Sequence, residues 1–135
     1  MNEKRVKEWI TLANGDLKTA KDELLTSEPY TNNVCFLCQQ SVEKYLKAFL
    51  TFYGKAFRKT HDIAELINNC IELNNEFEFL FYLNADKLTL YAVDIRYPDD
   101  FYTPTYEEAK EAIEIAEAVK NFVMDKLKKA GFYSF

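Results

Sequence analysis

The stretch that decides the fold is NNVCFLCQQSVEKYLKAFLTFY, residues 32–53. Val34, Cys38, Val42, Tyr45, Leu46, Phe49 and Phe52 recur at steps of three and four, which is the period of a helix with one apolar stripe. Thr31 or Asn32 stands in front as N-cap, and Gly54 follows as a C-terminal stop. Gln40, Glu43, Lys44 and Lys47 also fall at helical spacing and share a second, polar face, with Gln39 at its edge. A helix reads over about Asn32 to Tyr53.

Working outward, the same period runs upstream. Val6, Trp9, Ile10, Ala13, Leu17, Ala20 and Leu24 predict a first helix from about Asn2 to Thr26, closed by Ser27-Glu28-Pro29-Tyr30. Gly15 lies inside it, where it costs roughly 1 kcal/mol against Ala; its expected role is to admit a close helix crossing. Downstream of Gly54 comes a basic loop, Lys55-Ala56-Phe57-Arg58-Lys59. A third helix is expected to begin at Thr60, capped by that hydroxyl, with Asp62 complementing the positive helix end. Ile63, Leu66, Ile67, Cys70, Ile71 and Leu73 are its apolar positions, and Asn74-Asn75 breaks it.

A fourth helix reads from about Glu76 to Val93. Its apolar band (Phe77, Leu80, Phe81, Leu88 and Tyr91, widened by Phe79, Tyr82 and Leu83) is broad enough to predict burial on two sides. Pro98 and Pro104 keep the segment Asp94–Pro104 out of helix. The last helix opens on the capping box Thr105-Tyr106-Glu107-Glu108. It continues through Ala109, Ala112, Ile113, Ala116, Val119, Val123, Leu127 and Ala130, with Lys126, Lys128 and Lys129 at the end that favours cations. Nothing alternates as a strand does. The expected fold is all-α, an up-and-down antiparallel bundle of four to five helices, with residues 1–135 as a single domain.

Composition narrows the function classes. The chain has 135 residues and a net charge of −5, which excludes a wholly basic nucleic-acid coat while permitting a local basic cleft. Its 9 Tyr and 11 Phe exceed what a bundle of this size readily buries, which predicts a homodimer interface. Cys35 and Cys38 have CxxC spacing, but they sit within a helical apolar pattern, and a zinc site would need two more ligands where only Cys70 and the single His61 remain. All three thiols read as small buried residues in a reducing cytosol, so no metal or cofactor is expected. No signal peptide or membrane span is read, and the expected location is cytoplasmic.

Three polar clusters carry the candidate chemistry. Gln40, Glu43, Lys44 and Lys47 form either a solvated charged stripe with a Glu43–Lys47 pair or a polar cleft facing a phosphate or a partner. Thr60 and His61, next to Arg58 and Lys59, form either an ordinary helix cap or an anion site at a helix N-terminus. Arg96-Tyr97-Pro98 sets an Arg in an aromatic loop, where it either ties the loop to the bundle or grips a phosphate.

Taken together, Trp9…Asp16-Leu17…Ala20, Cys38-Gln39-Gln40-Ser41-Val42-Glu43-Lys44-Tyr45-Leu46-Lys47-Ala48, Thr60-His61-Asp62-Ile63…Leu66 and Asp94-Ile95-Arg96-Tyr97-Pro98 resemble the HEPN domains of prokaryotes, over about residues 5 to 128. The resemblance implies a helical bundle that dimerises. It implies a protein partner of the minimal nucleotidyltransferase type in a toxin–antitoxin or defence pair, and either nucleotide binding or metal-independent ribonuclease activity. Active ribonucleases of the family carry an Arg followed about a turn and a half later by a His. Here Arg96 is followed by Phe101 and Tyr102 instead, and His61 is the only His. The expectation is therefore a nucleotide- or RNA-binding module using Gln40, Lys44, Lys47, Thr60, His61, Arg96 and Tyr97. One alternative is a ribonuclease working through His61 and Arg96. Another is a dimeric scaffold that only binds proteins.

Overall fold

A computed structural model of the chain describes residues 2–92 and 102–133. Three long helices dominate it: α1 (Glu3–Leu24), α2 (Thr31–Phe52) and α5 (Tyr106–Lys129). Between α2 and α5 lie the short helix α3 (Ile63–Ile71), a 3₁₀ turn (Asn75–Glu78), the single-turn α4 (Phe79–Tyr82) and a second 3₁₀ stretch (Ala85–Tyr91). The described residues contain no strand. The all-α bundle expected from the apolar stripes is the fold observed.

Helix α2 is the centre of the bundle. It packs against α1, α5, α3 and the second 3₁₀ stretch, and so buries more of its residues than any other element. Tyr45, Leu46, Phe49 and Leu50 are among its fully buried side chains. Phe49 meets Phe77 at a ring-centroid distance of 4.3 Å, and Phe77 meets Phe122 edge-on at 5.0 Å, joining α2, the first 3₁₀ turn and α5. Ser41 donates to the Ala13 carbonyl at 2.9 Å, and the Tyr45 hydroxyl donates to Asn14 Oδ1, so α2 is also bonded to α1 across the crossing.

Local chemistry explains most helix ends. Gly54 has φ +65°, and its N–H and that of Lys55 return to the carbonyls of Thr51 and Leu50, an αL stop of the Schellman type. At α5, the Thr105 hydroxyl accepts from Glu108 N while Glu108 Oε1 accepts from Thr105 N, so both halves of the capping box are present.

Several local expectations are corrected. Neither Thr31 nor Asn32 caps α2. Tyr30 occupies the cap position without a side-chain bond, and the buried Thr31 hydroxyl donates to the Pro104 carbonyl at 2.6 Å instead. Helix α3 starts at Ile63, not Thr60, because the Asp62 carboxylate reaches the N–H groups of Ala64 and Glu65 and makes Asp62 the N-cap. Gly15 is exposed, with no atom within 4 Å of where a Cβ would stand, so it serves no close crossing. The fourth helix is broken at Asn84, which adopts φ +62°. Phe77, Leu80, Ala85 and Leu88 are buried, but Phe79, Tyr82 and Leu90 are exposed. The broad apolar band therefore reflects a segment that turns, not one buried on two sides.

Candidate functional site

A cleft of ≈530 Å³ opens where the N-terminal part of α1, the polar ridge of α2 and the loop before α3 meet. Helix α1 supplies Arg5 and Trp9; α2 supplies Glu43 and Lys47; the loop supplies Phe57, Lys59, Thr60 and His61. Three cationic side chains thus face one carboxylate, a local excess of positive charge on a chain whose net charge is −5.

The floor of the cleft is a hydrogen-bonded cluster centred on Glu43, whose side chain is only 5% exposed. Lys47 Nζ donates to Glu43 Oε1 at 2.6 Å, and Gln39 Nε2 donates to Oε2 at 2.7 Å. His61 Nδ1 lies 3.1 Å from the same Oε2. Gln40 Nε2 donates to Gln39 Oε1 at 2.6 Å, which sets the direction of the Gln39 amide. Burial pushes the Glu43 carboxyl up, but the hydrogen bonds from Lys47, His61 and Gln39 outweigh burial and hold it below the usual carboxylate range. The Lys47 ammonium is also 5.4 Å from the Trp9 ring centroid and 6.0 Å from that of Phe57. Buried polar groups arranged this way leave none of the described side chains buried and unsatisfied.

The polar face of α2 divides into two ridges. Residues 39, 43 and 47, four apart, run along the cleft. Residues 40 and 44 form the neighbouring ridge, and Lys44 Nζ bonds Asp16 Oδ2 on α1 at 2.6 Å. Of the residues expected at the site, Lys47, Thr60 and His61 line the cleft, Gln40 braces it from behind through Gln39, and Lys44 is turned toward α1. Arg96 and Tyr97 lie outside the described residues. The N–H groups at the start of α3 are occupied. Those of Ala64 and Glu65 go to Asp62 Oδ1, that of Ile63 goes to Thr89 Oγ1, and Thr60 Oγ1 accepts from Asp62 N. The helix end therefore presents no vacant anion site; any anion in the cleft must be held by side chains. Arg58 is likewise committed, in a bidentate pair with Glu65 at 2.6 and 3.1 Å.

Sequence reasoning passed over Arg5, Trp9 and Phe57 as site residues, took Lys59 only as a cation beside Thr60 and His61, and underrated Gln39 and Glu43. One signal was present: Phe57 in the middle of a basic loop, an aromatic among cations. Trp9 was hidden by its place in the α1 stripe, although it is only half-buried.

Among the described residues, no group of three or more His, Cys, Asp or Glu side chains is placed to hold a metal ion. Cys35, Cys38 and Cys70 are free and buried, and burial pushes all three thiols up, Cys35 to about 11. None of the described helices is long and apolar enough to cross a membrane.

The architecture defines a small helical domain with a cation-rich, aromatic-walled cleft beside its central helix. Two solved structures are similar to it in fold. One is ST0689, described as an archaeal HEPN homologue, at 30% identity and TM-score 0.71, covering 90% of this chain and 97% of that one. The other is TT1696 from Thermus thermophilus, at 29% identity and TM-score 0.73, covering 94% of this chain and 100% of that one. No curated protein matches the chain. The HEPN domain family matches residues 6–128, and the chain belongs to that family.

Proposed function

We propose that the cleft binds the phosphate of a nucleotide or of RNA, with the base against the Trp9 or Phe57 ring. The observation that carries this reading is the pairing of half-buried aromatic walls with cations not consumed by the fold. Lys47 is matched by Glu43, but Lys59 is exposed and makes no ion pair among the described residues, and Arg5 has only a loose 3.8 Å contact with the exposed Glu8. Stacking plus side-chain cations is the arrangement that holds single nucleotides without reading sequence. Arg96 and Tyr97 join the proposal on sequence grounds alone.

Trp9 is the only Trp in the chain, so its fluorescence reports occupancy of the cleft directly. Titration with a panel of nucleotides and short RNAs is expected to change that emission and to raise the melting temperature. A ligand at 100 times its dissociation constant stabilises the fold by about 2.7 kcal/mol. Lys59→Ala and Arg5→Ala should each weaken binding about fivefold, the worth of an exposed charge contact of roughly 1 kcal/mol. Arg96→Ala should weaken it with helicity unchanged. Equal affinity in the wild type and in a variant combining Arg5→Ala, Lys59→Ala and Arg96→Ala would refute the reading.

Family membership extends the proposal to a homodimer and to a protein partner of the nucleotidyltransferase type. Support comes from the exposed aromatic side chains Tyr30, Tyr82, Tyr102 and Tyr106. A monomeric mass at micromolar concentration would contradict the dimer, and the absence of such a gene next to this one would count against the partner.

A further inference from the structure

The cationic side chains lining the cleft present only hydrogen-bond donors, whereas His61 can present an acceptor. Its Nδ1 faces Glu43 Oε2, which already accepts from Gln39, while Glu43 Oε1 accepts from Lys47. A carboxylate held by the Lys47 ammonium and the Gln39 amide at the floor of the cleft stays ionised, and an ionised carboxylate only accepts. The hydrogen between the two groups therefore sits on Nδ1. In a neutral imidazole the other nitrogen, Nε2, is then bare. Nε2 has no partner among the described residues, and the His61 side chain is 50% exposed at the cleft wall. The Thr60 hydroxyl is already engaged by Asp62 N at 3.0 Å, and Arg5 and Lys59 offer only donors.

We infer that Glu43 is a positioning residue that locks His61 in the Nδ1–H tautomer, and that Nε2 then selects a ligand bearing a hydroxyl donor near its phosphate, a ribonucleotide over its 2′-deoxy counterpart. The inference rests on the phosphate-binding reading above and adds the sugar to it. Cations of the cleft answer the phosphate, and the bare Nε2 of His61 answers the ribose hydroxyl. A site that offers an acceptor to a substrate hydroxyl discriminates against the analogue lacking it, because the acceptor is then left unpaired.

His61 is the only His in the chain, so ¹⁵N NMR of the imidazole reads its tautomer without assignment. The wild type at pH 8 is expected to show a protonated Nδ1 and a bare Nε2; a protonated Nε2 would overturn the lock. Glu43→Gln should shift the population toward Nε2–H. The binding arm uses Trp9 fluorescence with the ribonucleoside 5′-monophosphates and their 2′-deoxy forms, and with a short RNA and DNA of the same sequence. The deoxy forms should bind about three- to tenfold more weakly, the factor one hydrogen bond is worth. That preference should vanish in His61→Phe, the ribo and deoxy forms then binding equally whatever affinity remains. Equal affinity for ribo and deoxy ligands would overturn the selection and leave the phosphate reading intact. No binding of either would overturn both. The wild-type spectrum settles the tautomer even where Glu43→Gln does not fold.

Discussion

Replacing Glu43 by Ala tests whether the cluster at the cleft floor is structural as well as functional. The Glu43 and Lys47 side chains are 5% and 12% exposed, so the pair is nearly dry. Removing the carboxylate strands the Lys47 ammonium and also leaves the donors of Gln39 and His61 without their acceptor. Breaking a buried pair from one side costs about 3–5 kcal/mol. Contacts of Lys47 with the Trp9 and Phe57 rings offset some of that, which places the expected loss near about 3 kcal/mol. Exchanging both partners for apolar residues of similar volume, Glu43→Leu with Lys47→Met, removes both charges at once and should leave stability within about 1 kcal/mol of wild type. Urea unfolding at pH 7 is the assay, with an unchanged slope as the sign that only stability has moved. In thermal unfolding the single variant should melt about 10 °C lower. A loss below about 1 kcal/mol in Glu43→Ala would refute the reasoning, because the pair would then behave like an exposed surface contact.

Because the folded Glu43 carboxyl titrates below its ordinary value of 4.5, its contribution is complete above that pH and fades as pH falls through the lower folded value. The urea midpoint should therefore drop below pH 4.5, less steeply in Glu43→Gln; Glu65, Glu76 and Glu108, lowered in the same direction, retain the rest of the slope. Gly15→Ala should stabilise the protein by about 0.5–1 kcal/mol, since its Cβ meets nothing within 4 Å in a helix interior, whereas Gly54→Ala at φ +65° should destabilise it by about 1 kcal/mol. The three buried thiols should be inert to a thiol reagent in the native protein at pH 8 and all react in urea; one fast-reacting native thiol would contradict the burial.

The long elements were legible because their signal is redundant. Each of α1, α2 and α5 repeats its apolar step over 22 or 24 residues, so no single substitution hides it. The segment after α3 was misread because one residue, Asn84, decides it by entering the left-handed region, and Asn carries that option silently in any polar position. At the site, the sequence pointed to the polar face of α2 and to Thr60-His61, and the structure brings Lys47, Thr60 and His61 to the wall of one cleft. It could not say that this face splits into two ridges facing different neighbours. That split follows from the position of Asp16 across the α1–α2 crossing, a tertiary fact with no local trace. Asp62 shows the reverse case. Its capping role was written in the chain, and the nearby Thr60 competed for the same reading.

The division of labour around the cleft bears on how such a protein changes over generations. Glu43 and Gln39 stand on the same helix whose other faces carry Tyr45, Leu46 and Phe49 into the core. Any shift in the register of α2 would damage site and core together, so the cluster is tied to survival of the fold itself. Arg5 and Lys59 sit at the rim, on a helix end and a loop, where surface exchanges usually move stability by less than about 0.5 kcal/mol. A lineage is thus free to retune which anion it holds, one rim residue at a time, on a frame that does not have to be rebuilt for each new ligand.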